Sequence, residues 1–272
     1  MSTPDGLDLR ALAQAAGEIA ERAAQAILEV YESEFAVESK DDRSPLTAAD
    51  LAANRIIVDA LCALTPALPV LSEESAAVAW SERSQWSRYW LVDPLDGTRE
   101  FVKRNGEFTV NIALIDAHEP VIGVVQTPVS GELACAWRGG GAWLSNPAAG
   151  IAPRRLQTRS RSSMLVVAGS RSHASEREAQ LLARLGPSEK VPLGSSLKFL
   201  RIAAGEADLY LRLGPTSEWD TAAGQCVLEE AGGAVRDLHG QSLRYNARES
   251  LINGNFFAVG ARDMDWSALH EI

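Results

Sequence analysis

One short segment constrains the fold of this chain more than any other. The apolar residues 89–92 (Tyr-Trp-Leu-Val) run directly into residues 93–98 (Asp-Pro-Leu-Asp-Gly-Thr). The apolar run is typical of a buried strand, and it places Asp93 at the end of that strand. Pro94 stiffens the exit, while Gly97 permits a tight turn without side-chain bulk. The segment therefore predicts a strand that delivers two carboxylates to one turn.

The same turn is suited to bind an anion. Thr98 begins a short predicted helix, so the backbone N–H groups of Gly97 and Thr98 can point at a phosphate. Taken alone, an Asp-Gly pair is usually only a turn, and a Glu-Glu pair is usually solvated surface. Here, however, acidic residues recur at predicted strand ends and helix starts: Asp50, Glu73, Glu74, Asp93, Asp96 and Asp220. Sites with several carboxylates favour Mg²⁺, so the set predicts a magnesium site.

Helices are predicted before this strand. Apolar residues recur at steps of three and four through residues 9–27, which is one face of an amphipathic helix. A second helix is predicted from near Thr47 to a stop at Pro66. Farther along, β-rich runs alternate with turn signals, and residues 133–144 form a predicted hairpin around three glycines. The pattern predicts an α/β (α+β) layered sandwich with largely antiparallel strands.

A division into two lobes is also predicted. Residues 147–161 are rich in Pro, Ala, Gly and Arg and are the best candidate for a boundary. We expect an N-terminal α+β lobe at residues 1–150, which carries most of the acidic residues. A C-terminal α/β lobe at residues 151–272 would carry Asp220.

Composition narrows the classes of function. The net charge of −10 argues against a general nucleic-acid binder, which needs a basic face. It leaves a small phosphorylated substrate open, because local cations can reverse the field inside one cleft. Cys62, Cys135 and Cys226 form no C-x-x-C pair and are predicted to be buried thiols in a reducing compartment. No segment reads as a leader or as a transmembrane span, so we expect a cytoplasmic protein.

The acidic segments resemble those of a known family. Residues 93–98 match the D-P-[IL]-D-G-T signature of the inositol monophosphatase superfamily, residues 73–75 its E-E motif, and residues 219–224 its W-D-x-A-[AG] motif. Residues 93–114 closely resemble the branch of CysQ-type 3'(2'),5'-bisphosphate nucleotidases. Inositol phosphatases usually carry T-x-N-F after the Asp-Gly pair, where this chain has Arg-Glu-Phe at residues 99–101. Shorter segments also look like that branch: residues 170–173, 194–199 and 214–216.

The resemblance implies a fold and a set of ligands. The family fold is an αβαβα layered sandwich. One Mg²⁺ would be held by Glu73, Asp93 and the carbonyl of Leu95, and a second by Asp93, Asp96 and Asp220. The residues that would orient the attacking water are Asp50, Glu74 and Thr98. The resemblance thus implies a phosphatase with two or three Mg²⁺ ions, and inhibition by lithium.

The resemblance also implies a substrate. This is adenosine 3',5'-bisphosphate, cleaved at the 3'-phosphate to give AMP, with the 5'-phosphosulfate form as a second candidate, in sulfur assimilation or nucleotide recycling. Gly97 and Thr98 would face the reacting phosphate. The second phosphate would be bound by Lys198 and Arg212, with hydrogen bonds from Ser195 and His173. Without the resemblance, Lys198 and Arg212 would be interpreted as solvated surface charges and His173 as an ordinary loop histidine.

Other interpretations stay open at this stage. Inositol monophosphate and fructose 1,6-bisphosphate are alternative substrates within the same superfamily. A non-catalytic nucleotide-sensing scaffold is an alternative of another class, but such a protein would not need Glu73, Asp93, Asp96, Asp220 and Thr98 together. The sequence does not decide between a monomer and a homodimer. Nor does it decide whether the protein associates peripherally with the inner face of the cytoplasmic membrane, although no amphipathic anchor is evident.

Overall fold

The structure is a computed structural model that describes residues 6–33, 45–160, 164–169, 176–262 and 265–270. Its α-helices in these ranges are α1 (Leu9–Tyr31), α2 (Pro45–Leu64), α3 (Trp80–Arg83), α4 (Thr98–Val102), α5 (Glu176–Ala183), α6 (Leu197–Ala203) and α7 (Ala222–Glu230). Its strands are β1 (Val70–Ser72), β2 (Arg88–Asp96), β3 (Thr109–Asp116), β4 (Glu119–Gln126), β5 (Leu133–Trp137), β6 (Gly141–Asn146), β7 (Ile151–Arg155), β8 (Leu165–Gly169), β9 (Ser188–Pro192), β10 (Leu209–Arg212), β11 (Thr216–Ser217), β12 (Ala234–Asp237), β13 (Ile252–Asn253) and β14 (Phe256–Val259). His173 lies outside the described residues.

A seven-stranded sheet forms the first half of the molecule, with the strands in chain order from β1 to β7. β1 and β2 are parallel, and the other neighbours are antiparallel. One face of this sheet packs against α1 and α2. The apolar face predicted for α1 is confirmed, because its positions from Leu9 to Ile27 are buried in that layer. α2 ends at Leu64, as the stop at Pro66 predicts.

The opposite face of the first sheet packs on α6 and α7, which separate it from a second sheet. The second sheet has the strand order β12-β14-β10-β8-β9. Alternate residues of its strands face opposite sides: Phe256 joins the layer of α6 and α7, while Phe257 joins an outer cluster with Leu181 of α5. The layers therefore run helix, sheet, helix, sheet, helix, which confirms the predicted αβαβα sandwich.

The predicted connector at residues 147–161 contains a strand. β7 pairs with β6 through Trp143 and Arg155, so the first sheet continues beyond residue 150. All five residues of β7 are exposed, because it is an edge strand with neither face covered. Such a strand lacks the apolar alternation by which strands are recognised in sequence. The division into lobes at residue 150 stays a prediction.

The prediction of three buried thiols was only partly correct. Cys226 is buried in α7, Cys135 is half-buried, and Cys62 is exposed on α2. Cys62 has apolar neighbours in sequence, but on a helix adjacent residues point in different directions. The apolar residues next to Cys62 in the sequence therefore did not predict whether Cys62 is buried. Among the described residues, no helix has the length and apolarity to cross a membrane.

Candidate metal and phosphate site

Two parallel strands bring the first pair of acidic side chains together. β1 and β2 are in register at Ser72 and Val92. Parallel neighbours end on the same side of a sheet, so the residues that follow this pair, Glu73 and Asp93, lie side by side. Burial raises the pKa of Asp93 well above its ordinary value, and the charges of Asp96 and Asp220 add to the effect. The negative charge of Glu73 contributes further to the raised pKa of Asp93.

Asp220 joins this pair from the turn before α7. Carboxylate oxygens of Glu73, Asp93 and Asp220 all lie within 4.8 Å of one another. The turn fixes Asp220, whose Oδ2 accepts hydrogen bonds from Thr216 Oγ1 at 2.5 Å and from the Ser217 backbone N–H at 2.9 Å. The three E-E, D-P-L-D-G-T and W-D segments, far apart in sequence, therefore converge on one point.

Asp96 lies beside this group of three rather than in it. Its Oδ2 accepts hydrogen bonds from Ser196 Oγ at 3.1 Å and from Asn111 Nδ2 at 3.4 Å. Burial and the charge of Asp220 raise the pKa of Asp96 to about 7, although Lys198 lowers it. The backbone N–H of Leu95 donates to Asp93 Oδ1 at 3.0 Å, which closes the turn between the two aspartates.

Asp50 and Glu74 form the outer edge of the acidic site. Burial raises the pKa of Asp50 to about 8, and the charges of Glu74 and Glu73 contribute further. One carboxyl oxygen of Asp50, Oδ1, is buried and finds no hydrogen-bond partner among the described residues. Burial likewise raises the pKa of Glu73 to about 6, with the charge of Asp220 as the next cause.

These observations test whether the site fits a divalent cation. The donors are all oxygens, which hard cations such as Mg²⁺ prefer. Burial and mutual repulsion raise the pKa values of Asp50, Glu73, Asp93 and Asp96, so the metal-free site resists full ionisation. A cation removes that repulsion, and the unpartnered oxygen of Asp50 is a further unmet acceptor. The residues therefore fit the predicted metal.

Gly97 and Ser195 are packed together at the phosphate side of the site. Gly97 has φ +96° and precedes α4, where Thr98 is exposed at the first helical position. The hydroxyl of Ser195 lies 2.9 Å from the carbonyl oxygen of Asp96 and 2.8 Å from that of Glu107, and donates to these oxygens. The predicted glycine requirement is thus confirmed by the backbone conformation.

A cavity of about 150 Å³ opens next to Asp96 and Asp220, and Lys198 and Arg212 line it. Lys198 is only 6% exposed, and burial lowers its pKa to about 8. Its Nζ donates to the carbonyl oxygen of Ser195 at 2.7 Å, so part of its donor capacity is used inside the protein. Arg212 donates from Nη2 to a backbone carbonyl, while its buried Nε has no partner among the described residues. Arg212 therefore brings positive charge to the wall of the cavity.

Comparison with known proteins identifies the family to which this site belongs. The Inositol monophosphatase family model matches residues 8–269. The chain belongs to the inositol monophosphatase family. It is 49% identical to the 3'(2'),5'-bisphosphate nucleotidase CysQ of Escherichia coli K12 over 241 residues, which cover 88% of this chain and 96% of that protein. The resemblance predicted from the motifs is therefore confirmed.

Solved structures of this family agree with the fold. A crystal structure of CysQ from Bacteroides thetaiotaomicron, a bacterial member of the family, matches with a TM-score of 0.84 and 38% identity, covering 93% of this chain and 98% of that one. An inositol monophosphatase from Zymomonas mobilis matches with a TM-score of 0.79 and 24% identity, covering 97% and 98% of the two chains. The second likeness is one of fold alone.

The sequence analysis did not predict three polar residues that contact Asp96 in the acidic site. Thr109 and Asn111 lie on β3 opposite the end of β2, and Ser196 precedes α6; all three donate to Asp96 Oδ2. Asn111 pairs with Asp93 across the two strands, a relation that depends on strand register. Nothing in the sequence around Asn111 signals this, because register is fixed by tertiary pairing.

Proposed function

We propose that this protein is a Mg²⁺-dependent phosphomonoesterase that removes the 3'-phosphate of adenosine 3',5'-bisphosphate to give AMP and phosphate. The observation that carries the proposal is the convergence of Glu73, Asp93 and Asp220 within 4.8 Å, beside a cavity lined by three cationic residues, Arg99, Lys198 and Arg212. The relatives named 3'(2'),5'-bisphosphate nucleotidase support the choice of substrate. The 5'-phosphosulfate form is a second substrate with the same arrangement of anionic groups, and either reaction would serve sulfur assimilation or nucleotide recycling.

The acidic residues have separate roles in binding the metal. Glu73, Asp93 and the carbonyl of Leu95 would hold one Mg²⁺, and Asp96 and Asp220 would hold a second together with Asp93. Two or three ions suit this number of carboxylates. Bound Mg²⁺ would supply positive charge that offsets the negative charge of the phosphate and acidifies nearby water.

The protein's own groups would position and deprotonate the attacking water. Asp50 presents an unpartnered oxygen and, with Glu74, forms the acidic edge next to Glu73. These carboxylates accept the proton of the water, and the exposed hydroxyl of Thr98 aligns it. The water oxygen bonds to phosphorus, the bond from phosphorus to the 3'-oxygen breaks, and that oxygen takes up a proton. No covalent intermediate with the protein is required.

The cavity gives the enzyme its preference for a second anionic group. Arg212 and Lys198 place positive charge at the cavity wall, where a 5'-phosphate would bind. Inositol monophosphate has no such second group. A non-catalytic sensor is disfavoured, because such a protein has no use for carboxylates arranged as a metal site.

A phosphate-release assay tests this function. The purified protein is given adenosine 3',5'-bisphosphate, its 5'-phosphosulfate form, inositol monophosphate or fructose 1,6-bisphosphate, each with Mg²⁺ or with chelator. We expect Mg²⁺-dependent release from the adenosine bisphosphates and loss of turnover in Asp220→Asn. Hydrolysis of inositol monophosphate without activity on adenosine bisphosphate would refute the nucleotidase assignment. Turnover that persists in Asp220→Asn would refute the metal site.

The proposed reaction does not depend on where the protein lies in the cell or on its oligomeric state. We retain a cytoplasmic location as a prediction, with peripheral association with the inner membrane face and a homodimer as the alternatives to test. Fractionation of cells and the mass of the purified protein in solution decide these points.

A further inference from the structure

The Ser196 hydroxyl is buried between two acidic segments of the site. Its side chain is about 1% exposed. Oγ lies 3.1 Å from Oδ2 of Asp96, 2.9 Å from the backbone carbonyl oxygen of Asp220 and 3.0 Å from Nδ2 of Asn111. One hydroxyl therefore contacts the last residue of β2, a residue of β3 and the turn before α7.

A count of donors and acceptors fixes what this hydroxyl does. A serine hydroxyl has one proton to donate and two lone pairs that accept. The amide group of Asn111 is a donor to Oγ, so the single proton of Ser196 is left for Asp96 Oδ2 and the carbonyl oxygen of Asp220. Both acceptors belong to residues assigned to the metal site. Ser196 is thus a hydrogen-bonded link between two parts of the site that are more than 100 residues apart in sequence.

The side chain of Ser196 does not cap α6, although serine often caps a helix from this position. Ser196 occupies the N-cap position of α6, where serine side chains commonly accept a hydrogen bond from the first turn of the helix. Here the side chain makes no such capping bond. The hydroxyl is directed at Asp96 and Asp220 instead, so stability of α6 does not explain it.

The backbone that precedes Ser196 is held by contacts at Gly194 and Ser195. The N–H of Gly194 donates to Oε2 of Glu107 at 2.8 Å, and a Cβ at Gly194 would lie 2.7 Å from the Glu107 carbonyl oxygen. Lys198 Nζ, from the first turn of α6, donates to the carbonyl oxygen of Ser195 at 2.7 Å. A segment fixed in this way can transmit a defined direction to the carboxylate that Ser196 contacts.

We propose that Ser196 is a positioning residue that orients the Asp96 carboxylate and the Asp220 turn for binding a divalent cation. The proposal rests on the metal-dependent function proposed above. Groups that hydrogen-bond to metal ligands commonly change metal affinity by about 10- to 100-fold when removed. Ser196→Ala should therefore raise the Kd for Mg²⁺ by about 10-fold or more.

The test titrates the substrate-free protein with Mg²⁺. Calorimetry measures the Kd for Mg²⁺, and the melting temperature is recorded at each Mg²⁺ concentration. The test compares wild type with Ser196→Ala and Ser196→Cys, since a thiol keeps the shape but donates weakly. Ser145→Ala is the matched control, because it removes a half-buried hydroxyl that donates to the carbonyl oxygen of Leu133, outside the site. We expect weaker Mg²⁺ binding in both Ser196 variants, wild-type binding in Ser145→Ala, and partial recovery of kcat for Ser196→Ala at saturating Mg²⁺.

The outcomes separate this proposal from the proposed function. If wild type binds Mg²⁺ and the Ser196 variants bind it equally well, only the positioning role is wrong. A lower melting temperature without a change in Kd would also refute the positioning role, since a merely structural hydroxyl would behave so. If wild type neither binds Mg²⁺ nor releases phosphate, the metal-dependent function and the role of Ser196 both fail. If Ser196→Ala does not fold, the Kd of Ser196→Cys decides.

Discussion

A Cβ atom at Gly97 would lie 2.0 Å from the Oγ of Ser195, closer than any tolerated contact. The same Ser195 hydroxyl hydrogen-bonds to the carbonyl of Asp96, so it has no free direction in which to withdraw. Two segments that are about a hundred residues apart are therefore packed against each other without room for a methyl group. The turn that carries the phosphate-facing N–H groups depends on this contact.

The first prediction concerns that contact. Gly97→Ala should lower the free energy of unfolding by about 1–3 kcal/mol for the left-handed backbone alone, with a further loss from the clash. It should also abolish phosphate release, because the turn must move. The matched control is Gly150→Ala, where φ is also positive (+68°) but nothing lies within 4 Å of a Cβ. Urea unfolding of both variants measures the difference, and equal losses would show that the contact with Ser195 is unimportant.

The second prediction concerns pH and the metal-free protein. Burial and repulsion raise the folded-state pKa values of Glu73 to about 6, Asp96 to about 7 and Asp50 to about 8. In the unfolded chain the pKa of an Asp or Glu side chain is about 4. The folded state therefore binds more protons between these limits, so the stability that these groups contribute should be greatest at and below about pH 4 and should fall as the pH rises to about 8.

Mg²⁺ should reverse this trend, because a bound cation favours the ionised carboxylates and stabilises the folded state by mass action. Melting temperatures measured from pH 5 to 8, with chelator and with Mg²⁺, check both statements. The stabilisation by Mg²⁺ should grow with pH. A melting temperature that does not respond to Mg²⁺ at pH 8 would contradict a preformed cation site.

The third prediction separates the roles of Arg212 and Lys198, two of the cationic residues that line the cavity. Arg212→Ala should raise KM for adenosine 3',5'-bisphosphate by about 10- to 100-fold, since a hydrogen bond to a charged group contributes about 1.5–3 kcal/mol. Its effect on the melting temperature should be small. Lys198→Met should instead lower the melting temperature, because Lys198 Nζ holds the carbonyl of Ser195 from a buried position. Steady-state kinetics and melting curves of both variants test this, and an unchanged KM in Arg212→Ala would refute the anchoring role.

The fourth prediction concerns lithium. The family resemblance implies that Li⁺ competes with Mg²⁺ for one of the oxygen-rich sites. Phosphate release should fall as LiCl is added, while KCl at the same ionic strength serves as the control. Activity that is equal in the two salts would contradict competition at the metal site.

Much of the site was predictable from sequence because its residues lie in short, contiguous motifs. Local stereochemistry places Gly97 in the left-handed turn before α4, as predicted, but the strand end predicted at Asp93 is wrong, because β2 continues to Asp96 across an irregularity in its pairing with β3. The helices α1 and α2 were predictable from apolar periodicity, since each buries one face on the sheet. His173, in contrast, lies outside the described residues, and its predicted contact with the substrate stays a prediction.

The sequence by itself determined which residues are acidic, which turn requires glycine, and which family the chain belongs to. Only the tertiary structure decided that Glu73, Asp93 and Asp220 meet, that Ser196 links Asp96 to the Asp220 turn, and that Lys198 is directed inward. The same is true of β7, whose exposed residues carry no periodic signal. The physical reason is that these features depend on strand register and on packing between segments a hundred or more residues apart. Local preferences fix φ, ψ and burial patterns, but not which distant side chains come within hydrogen-bonding distance.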